Sequence, residues 1–567
     1  LDAMLTPPKP LKLPVVINGQ IMPGDVDKFV FYAKRGQRLV FDLKARKLVP
    51  YLADAVPGWF QAVLKLYDDK GNEIAFADDF RFHPDPVLYF IPPKTGVYTV
   101  KIHDSIFRGR EDFVYRLKIS EDPFITSIFP LGGQINKPLK VHLKGWNLPL
   151  STLSLDTRKP IPVWRESCLR HKDSRSNSFS YAVSDLPNTF EREGNNERVY
   201  ANYVNLPVML NGRIGKAGDM DFFRFDGQAG QKIVIEVTAR QLGSPVDSLI
   251  RLVDSNGNVI AWNDDYSIKD KTHLHKNPRG LQTHHADSYL IAKLPKDGSY
   301  YVQITDTRNH GGEAFAYRLR ISKPTPGFTL RVTPSSMSLR PGQVTPVHVH
   351  AIRQDGFDGP IYITLKNRRF ILHGGTIPAG KNSIMFTLKA PMVGRSKTFR
   401  LEFIGTARSG QRNIIRKAFA ADDTMQAFLY RHLVTTNDMV IHVKKHRWTI
   451  PTFEAVAINY RMAISPGGEV TMKIINPLRR RVNQFSLELH NPPAGLSLKR
   501  YWIYNNNVFF TLKSDKTKMK PGDSGNLIVK IFREFQHRRK NKKGKMVKKK
   551  IKHLVTMTPA IPYMVIK

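Results

Sequence analysis

Only one cysteine, Cys168, occurs in 567 residues. A lone thiol excludes an internal disulfide framework and any zinc centre built from paired cysteines. No apolar run approaches the ~18 residues that a membrane-spanning helix needs, and the longest runs are strand-sized. Also missing are the Gly-x-Ser-x-Gly elbow, the His-Glu-x-x-His helix, the Gly-x-x-x-x-Gly-Lys-Ser/Thr phosphate loop and Gly-x-Gly-x-x-Gly after a strand. No catalytic centre is therefore expected. Acids are scarce: Asp plus Glu number 48 against 88 Lys plus Arg, a formal charge of +40. That excess favours polyanionic partners or surfaces. The densest basic block, residues 533–552, holds eleven Lys/Arg and one Glu, so it carries +10 and leaves +30 dispersed over the rest. Binding to acidic polymers is accordingly expected to be mainly non-specific. The chain starts at Leu1 without a leader pattern, so its true amino terminus is expected to be missing or processed.

What is present begins with size: 567 residues exceed what one core holds, and several domains are expected. An internal repeat organises them. Residues 14–119 recur at 207–321. Gly24-Asp25-Val26-Asp27 matches Gly218-Asp219-Met220-Asp221, and Asp69-Lys70-Gly71 matches Ser255-Asn256-Gly257. Asp78-Asp79 matches Asp264-Asp265, and Gly96-Val97-Tyr98 matches Gly298-Ser299-Tyr300. Tyr115-Arg116-Leu117 matches Tyr317-Arg318-Leu319. Apolar residues alternate at period two, as in Phe29/Phe31 and Ile233/Ile235/Val237, with turn dipeptides such as Asn256-Gly257 between them. This is the pattern of antiparallel sandwiches. The copies differ by loop insertions around residues 49–60 and 267–284.

The Gly-Asp-x-Asp-x-Phe segment, the later turn, the Asp-Asp pair, Gly-x-Tyr and the closing Tyr-Arg-Leu resemble the bacterial pre-peptidase C-terminal (PPC) domain, in two copies. Between them, residues 123–148, with Pro130, Gly132-Gly133 and Gly145-Trp146-Asn147-Leu148, resemble the start of an immunoglobulin-like IPT/TIG domain. The chain as a whole resembles large exported bacterial PPC-containing proteins. The implied fold is all-β, a tandem of jelly-roll-like and immunoglobulin-like antiparallel β-sandwiches. The expected domains are 1–120 (first PPC-like copy), 121–205 (IPT/TIG-like), 206–322 (second copy), 323–424 (immunoglobulin-like) and 425–567 (a last sandwich with a basic hairpin). A short helix is expected over residues 425–432.

Candidate chemistry is sparse. Cys168 has His171 three residues on, a spacing too loose to define a nucleophile. His273, His275, His284 and His285 share one insertion and read either as a transition-metal cluster or as a solvated loop. The recurring acids point to calcium, which takes carboxylate and carbonyl oxygens from converging loops and which some relatives of the PPC domain bind. Asp247, Asp264, Asp265 and Asp287 of the second copy are the candidate ligands. Gln61 stands in the place of Asp247 in the first copy, so calcium is expected to prefer the second. The competing reading makes these acids turn residues bonded to their own backbone or to basic neighbours. The block at 533–552 reads as a lysine-rich hairpin rather than a specific nucleic-acid binder, for it lacks stacking aromatics beyond Phe535.

Two functional readings follow. The first is a non-catalytic, secreted, periplasmic or cell-surface scaffold whose loops meet polysaccharide, acidic polymer, matrix or an envelope protein. The second is the accessory region of a secreted hydrolase, such as a peptidase, whose catalytic domain precedes Leu1.

Overall fold

The computed structural model describes residues 9–49, 58–158, 164–269, 281–285, 287–425, 431–436, 438–447, 449–457, 462–477, 484–540 and 546–567. It is all-β. In the first sandwich, β1 to β8 are Val15–Gln20, Asp27–Ala33, Leu39–Lys44, Ala62–Tyr67, Glu73–Ala77, Val87–Phe90, Gly96–Asp104 and Val114–Ser120. They form two sheets, ordered β1-β8-β3-β6 and β2-β7-β4-β5, that share one core including Phe31, Phe41, Leu64, Val100 and Ile119. Alternation explains the burial. Phe31 and Ala33 of β2 are fully buried, while Tyr32 between them is about half exposed.

In the second sandwich the places of β1 to β8 are taken by Val208–Arg213, Met220–Gly227, Lys232–Thr238, Ser248–Asp254, Val259–Asn263, Tyr289–Lys293, Gly298–Asp306 and Ala316–Ser322. The strand order is the same in both sheets. Register agrees as well: Gly19 faces Tyr115 as Gly212 faces Tyr317, and Ala33 faces Gly96 as Gly227 faces Gly298. Even the irregularity between β4 and β5 recurs, at Leu66/Tyr67 and at Leu252/Val253. The second sandwich has two extra strands. Asn188–Phe190 runs parallel to Val208–Arg213, and Asn202–Tyr203 runs parallel to Met220–Gly227, so each sheet gains a fifth member. The two expected insertions fall largely outside the described residues.

Residues 124–184 form a smaller pair of three-stranded sheets, around a core that includes Ile125, Val141 and Tyr181 and also takes in Leu242 and Ala316 of the second sandwich. These three sandwiches belong to one compact unit. The other unit holds a core including Phe328, Val349 and Phe386 and a last core including Met472, Phe510 and Ile531. Met439, Ile441 and Val443 are buried with Phe328 and Phe386, so the fourth core draws on residues beyond 425. The helix expected over 425–432 is not found at its ends: Arg412–Met425 and Arg431–Thr435 are strands, and 426–430 lie outside the described residues. Val529–Lys540 and Met546–Met557 pair antiparallel from Lys530↔Met557 to Lys540↔Met546, the basic hairpin expected from sequence. Short parallel pairings, such as Gly132–Gln134 with Phe179–Ser184, interrupt an otherwise antiparallel plan.

Candidate cation site

The two extra strands of the second sandwich carry the chain across its rim, and residues 191–197 between them supply side chains that the repeat itself lacks. Glu191 accepts the Arg213 backbone N–H (2.8 Å) and the Asn195 side-chain amide (3.3 Å), and it shares the single Tyr317 hydroxyl proton (3.1 Å) with Asp221. The Asn195 carbonyl accepts the Phe222 N–H (3.0 Å), which locks the loop against the strand that bears Asp221. Asn196 Nδ2 donates to Asp219 Oδ1 (3.0 Å), and the Gly215 N–H donates to Asp219 Oδ2 (2.6 Å).

Within this frame Glu193, Asp219 and Asp221 bring carboxylate oxygens within 4.8 Å of one another. Asp221 is fully buried and Asp219 nearly so, whereas Glu193 is exposed. Asp221 Oδ2 accepts the Tyr317 hydroxyl (2.7 Å), but Asp221 Oδ1 is buried without a partner, and so is Asn195 Oδ1. Orphaned buried acceptors are costly unless something supplies positive charge. Burial first, and the Glu191 charge second, push the Asp221 carboxyl far above the ordinary range. Burial followed by Glu191 and Asp219 raises Glu193 too. Gly215 keeps the place open, since a Cβ there would lie 3.1 Å from Glu193 Oε1.

The arrangement can satisfy itself in two ways. It can hold protons, or it can hold a cation. Carboxylate and amide oxygens without sulfur or imidazole are a hard donor set suited to calcium, whose oxygen ligands stand at about 2.3–2.6 Å. Glu193, Asp219 and Asp221 fit that ion.

The acids singled out from sequence lie elsewhere. Asp287 is fully buried and accepts the backbone N–H groups of Ala239 (3.1 Å), Arg240 (2.7 Å) and Gln241 (3.2 Å). Burial raises it to about 6 against the pull of those bonds. Asp85 does the same for Ala45, Arg46 and Lys47 in the first copy. Asp247 sits between two guanidinium groups, Arg308 at 3.3 Å and Arg240 at 3.5 Å. Asp264 Oδ1 accepts the Asp265 N–H (2.9 Å), and the Asp265 carbonyl accepts Asn263 Nδ2 (3.1 Å). Among the described residues these four do not converge as a ligand group. The carboxylates of Asp247, Asp264 and Asp287 are met by basic side chains or backbone amides. Cys168 Sγ accepts the Arg175 Nε–H at 3.2 Å. The histidine cluster falls outside the described residues and side chains.

Asp219 and Asp221 recur as Asp25 and Asp27 in the first copy, so the repeat does not set them apart, and Glu193 lies upstream of it. A usable signal was present in Glu191-x-Glu193-x-Asn195, two acids and an amide closely spaced just upstream of the repeat.

Comparison with known proteins bears on this same region. The family model of the bacterial pre-peptidase C-terminal domain matches residues 219–306. A probable subtilase-type serine protease of Deinococcus radiodurans is 35% identical over 92 residues, which are 16% of this chain and 10% of the protease. The match thus spans about a tenth of that curated relative. Among solved structures, the pre-peptidase C-terminal domain of a collagenase from Bacillus anthracis aligns at 17% identity over 22% of this chain and 94% of that one, with a TM-score of 0.16. Domains 1–6 of the surface layer protein SbsC align at 9% identity over 94% of this chain and 66% of that one, with a TM-score of 0.16. One bacterial pre-peptidase C-terminal domain is therefore present, at residues 219–306, and it forms the heart of the second sandwich.

Proposed function

We propose that this chain is a non-catalytic, exported binding scaffold whose second sandwich holds one calcium ion through Glu193, Asp219 and Asp221. The observation that carries the reading is the buried, partnerless Asp221 Oδ1 within reach of two further carboxylates. The ion fastens residues 188–203 to the sandwich, and through them the preceding domain. Two contacts support such a stiffened array: Arg213 lies over the Phe129 ring (3.8 Å), and Arg240 lies over the Phe82 ring (4.5 Å). Residues 14–119 act as a second PPC-type module without the ion, a reading supported by the shared strand order. The partner is polysaccharide, acidic polymer, matrix or an envelope protein at the cell surface or outside it. No helix among the described residues is long and apolar enough to cross a membrane.

A second reading, the accessory region of a secreted hydrolase, is supported by the 92-residue likeness to a subtilase-type protease. In that setting the same calcium site would hold the region in a fixed geometry beside its catalytic partner.

Melting of the chelated full chain with and without calcium tests the ion. Raised carboxyls contribute stability below the ordinary carboxylate range and lose it as pH rises through their raised values. Calcium replaces those protons, so its stabilising shift grows from about pH 5 to about pH 8. Several degrees of shift at the higher pH, absent in Glu193→Gln/Asp219→Asn, are expected. No shift in the wild-type chain at either pH would refute the site.

A further inference from the structure

The last sandwich has a face that no part of this reading uses. Residues 451–567 hold 24 lysines and arginines against six aspartates and glutamates. One of the sheets there orders Ala455–Ala457, Glu469–Ile474, Asn507–Ser514 and Leu496–Tyr504 side by side. Its inner face gives Met472, Ile474, Val508, Phe510 and Leu512 to the core. Alternation sends the residues between them outward, and register sets Lys473, Phe509 and Trp502 in one row across three strands.

This outward row is aromatic. Trp502 stacks on Phe509 with centroids 5.7 Å apart and planes 15° from parallel, and Tyr504 meets Phe509 edge-on at 6.3 Å. Tyr504 is 62% exposed and Trp502 37%. Contiguous aromatic surface left in water and rimmed by polar residues is a mark of a binding surface. Cations stand over the rings: Arg500 over Trp502 at 5.3 Å and Lys473 over Phe509 at 5.9 Å. Ring faces turned to each other and to cations offer little to a nucleobase, which binds by stacking on an open face. The ring edges, the positive side of the aromatic quadrupole, remain, beside two cations and the Tyr504 hydroxyl. Oxyanions and hydroxyls complement such a surface.

We propose that the Trp502/Tyr504/Phe509 row with Arg500 and Lys473 binds acidic polysaccharide, a chain of uronate or sulfated sugars. Each such unit has hydroxyl oxygens to meet the ring edges and the Tyr504 hydroxyl, and an anion for the flanking cations. The inference rests on the scaffold reading but is independent of the calcium site. It also differs from non-specific attraction to a basic surface, which would need no aromatic residue.

Affinity electrophoresis of the full chain in chelator at about 0.15 M salt tests it, with polygalacturonate, neutral dextran and single-stranded poly(dT) as probes. The wild-type chain should be retarded most by polygalacturonate. Trp502→Ala/Tyr504→Ala should weaken that binding about tenfold, and Trp502→Phe should restore most of it in the Tyr504 background. Arg500→Gln/Lys473→Gln should weaken binding and flatten its salt dependence. An unchanged affinity in a folded Trp502→Ala/Tyr504→Ala chain, checked by its melting profile, would leave only diffuse charge and overturn the proposal. Stronger retardation by poly(dT), lost in the same variant, would overturn it in favour of nucleic acid.

Discussion

The first and second sandwiches share strand order, register and turn chemistry, yet one assembles a carboxylate cluster and the other does not. In each, an aspartate opens the turn after the fourth strand. Asp68 accepts the N–H groups of Lys70 and Asn72, and Asp254 accepts those of Asn256 and Asn258. Gly71 and Gly257 then take positive φ, +85° and +94°. In each, a buried tyrosine hydroxyl meets an aspartate of the second strand, Tyr115 to Asp27 at 2.5 Å and Tyr317 to Asp221 at 2.7 Å. The difference arrives from outside the repeat. Glu193 comes within reach of Asp219 and Asp221 and Asn196 bonds Asp219, whereas among the described residues no comparable acids join Asp25 and Asp27. A conserved-looking frame thus gains chemistry from the segment that enters it.

The comparison can be stressed first at the features the copies share. Asp85→Ala and Asp287→Ala each strand three backbone N–H groups, and each should cost about 3 kcal/mol or more, read as a fall in the unfolding midpoint of the full chain. A large loss in one copy with none in the other would break the equivalence. The next effect is steric. A Cβ at Gly19 would fall 2.2 Å from Tyr115 Cζ, and one at Gly212 would fall 2.3 Å from the Tyr317 hydroxyl oxygen. Both rings are buried, so Gly19→Ala and Gly212→Ala should each cost about 1–3 kcal/mol. Chemical denaturation should show the two losses to be similar, and a neutral substitution at either site would contradict the shared packing.

Much of this architecture was legible because its causes are local. Period-two alternation, Asp-x-x-Gly turns and the repeated tyrosine each leave a mark in sequence. The place of Asp247 was also legible: Gln61 and Asp247 donate their N–H groups to Asp104 and Asp306 in the same way. Its partners were not, because Arg240 and Arg308 lie 7 residues before and 61 after it in sequence, and only folding brings them to its carboxylate. Asp287 resembled a ligand for a similar reason: an acid that clamps three amides and one that holds a metal look alike until burial and partners are known. The strand Met439–Val443 was assigned to the last domain by linear order, whereas its parallel pairing with Ser336–Leu339 places it in the fourth core.

The most direct measurement is calorimetric titration of calcium into the chelated full chain and into Asp27→Asn and Asp221→Asn, equivalent substitutions in the two copies. One site should appear in the wild-type chain and in Asp27→Asn, and it should vanish in Asp221→Asn. Absence of binding in all three, or a site that survives Asp221→Asn, would contradict the account.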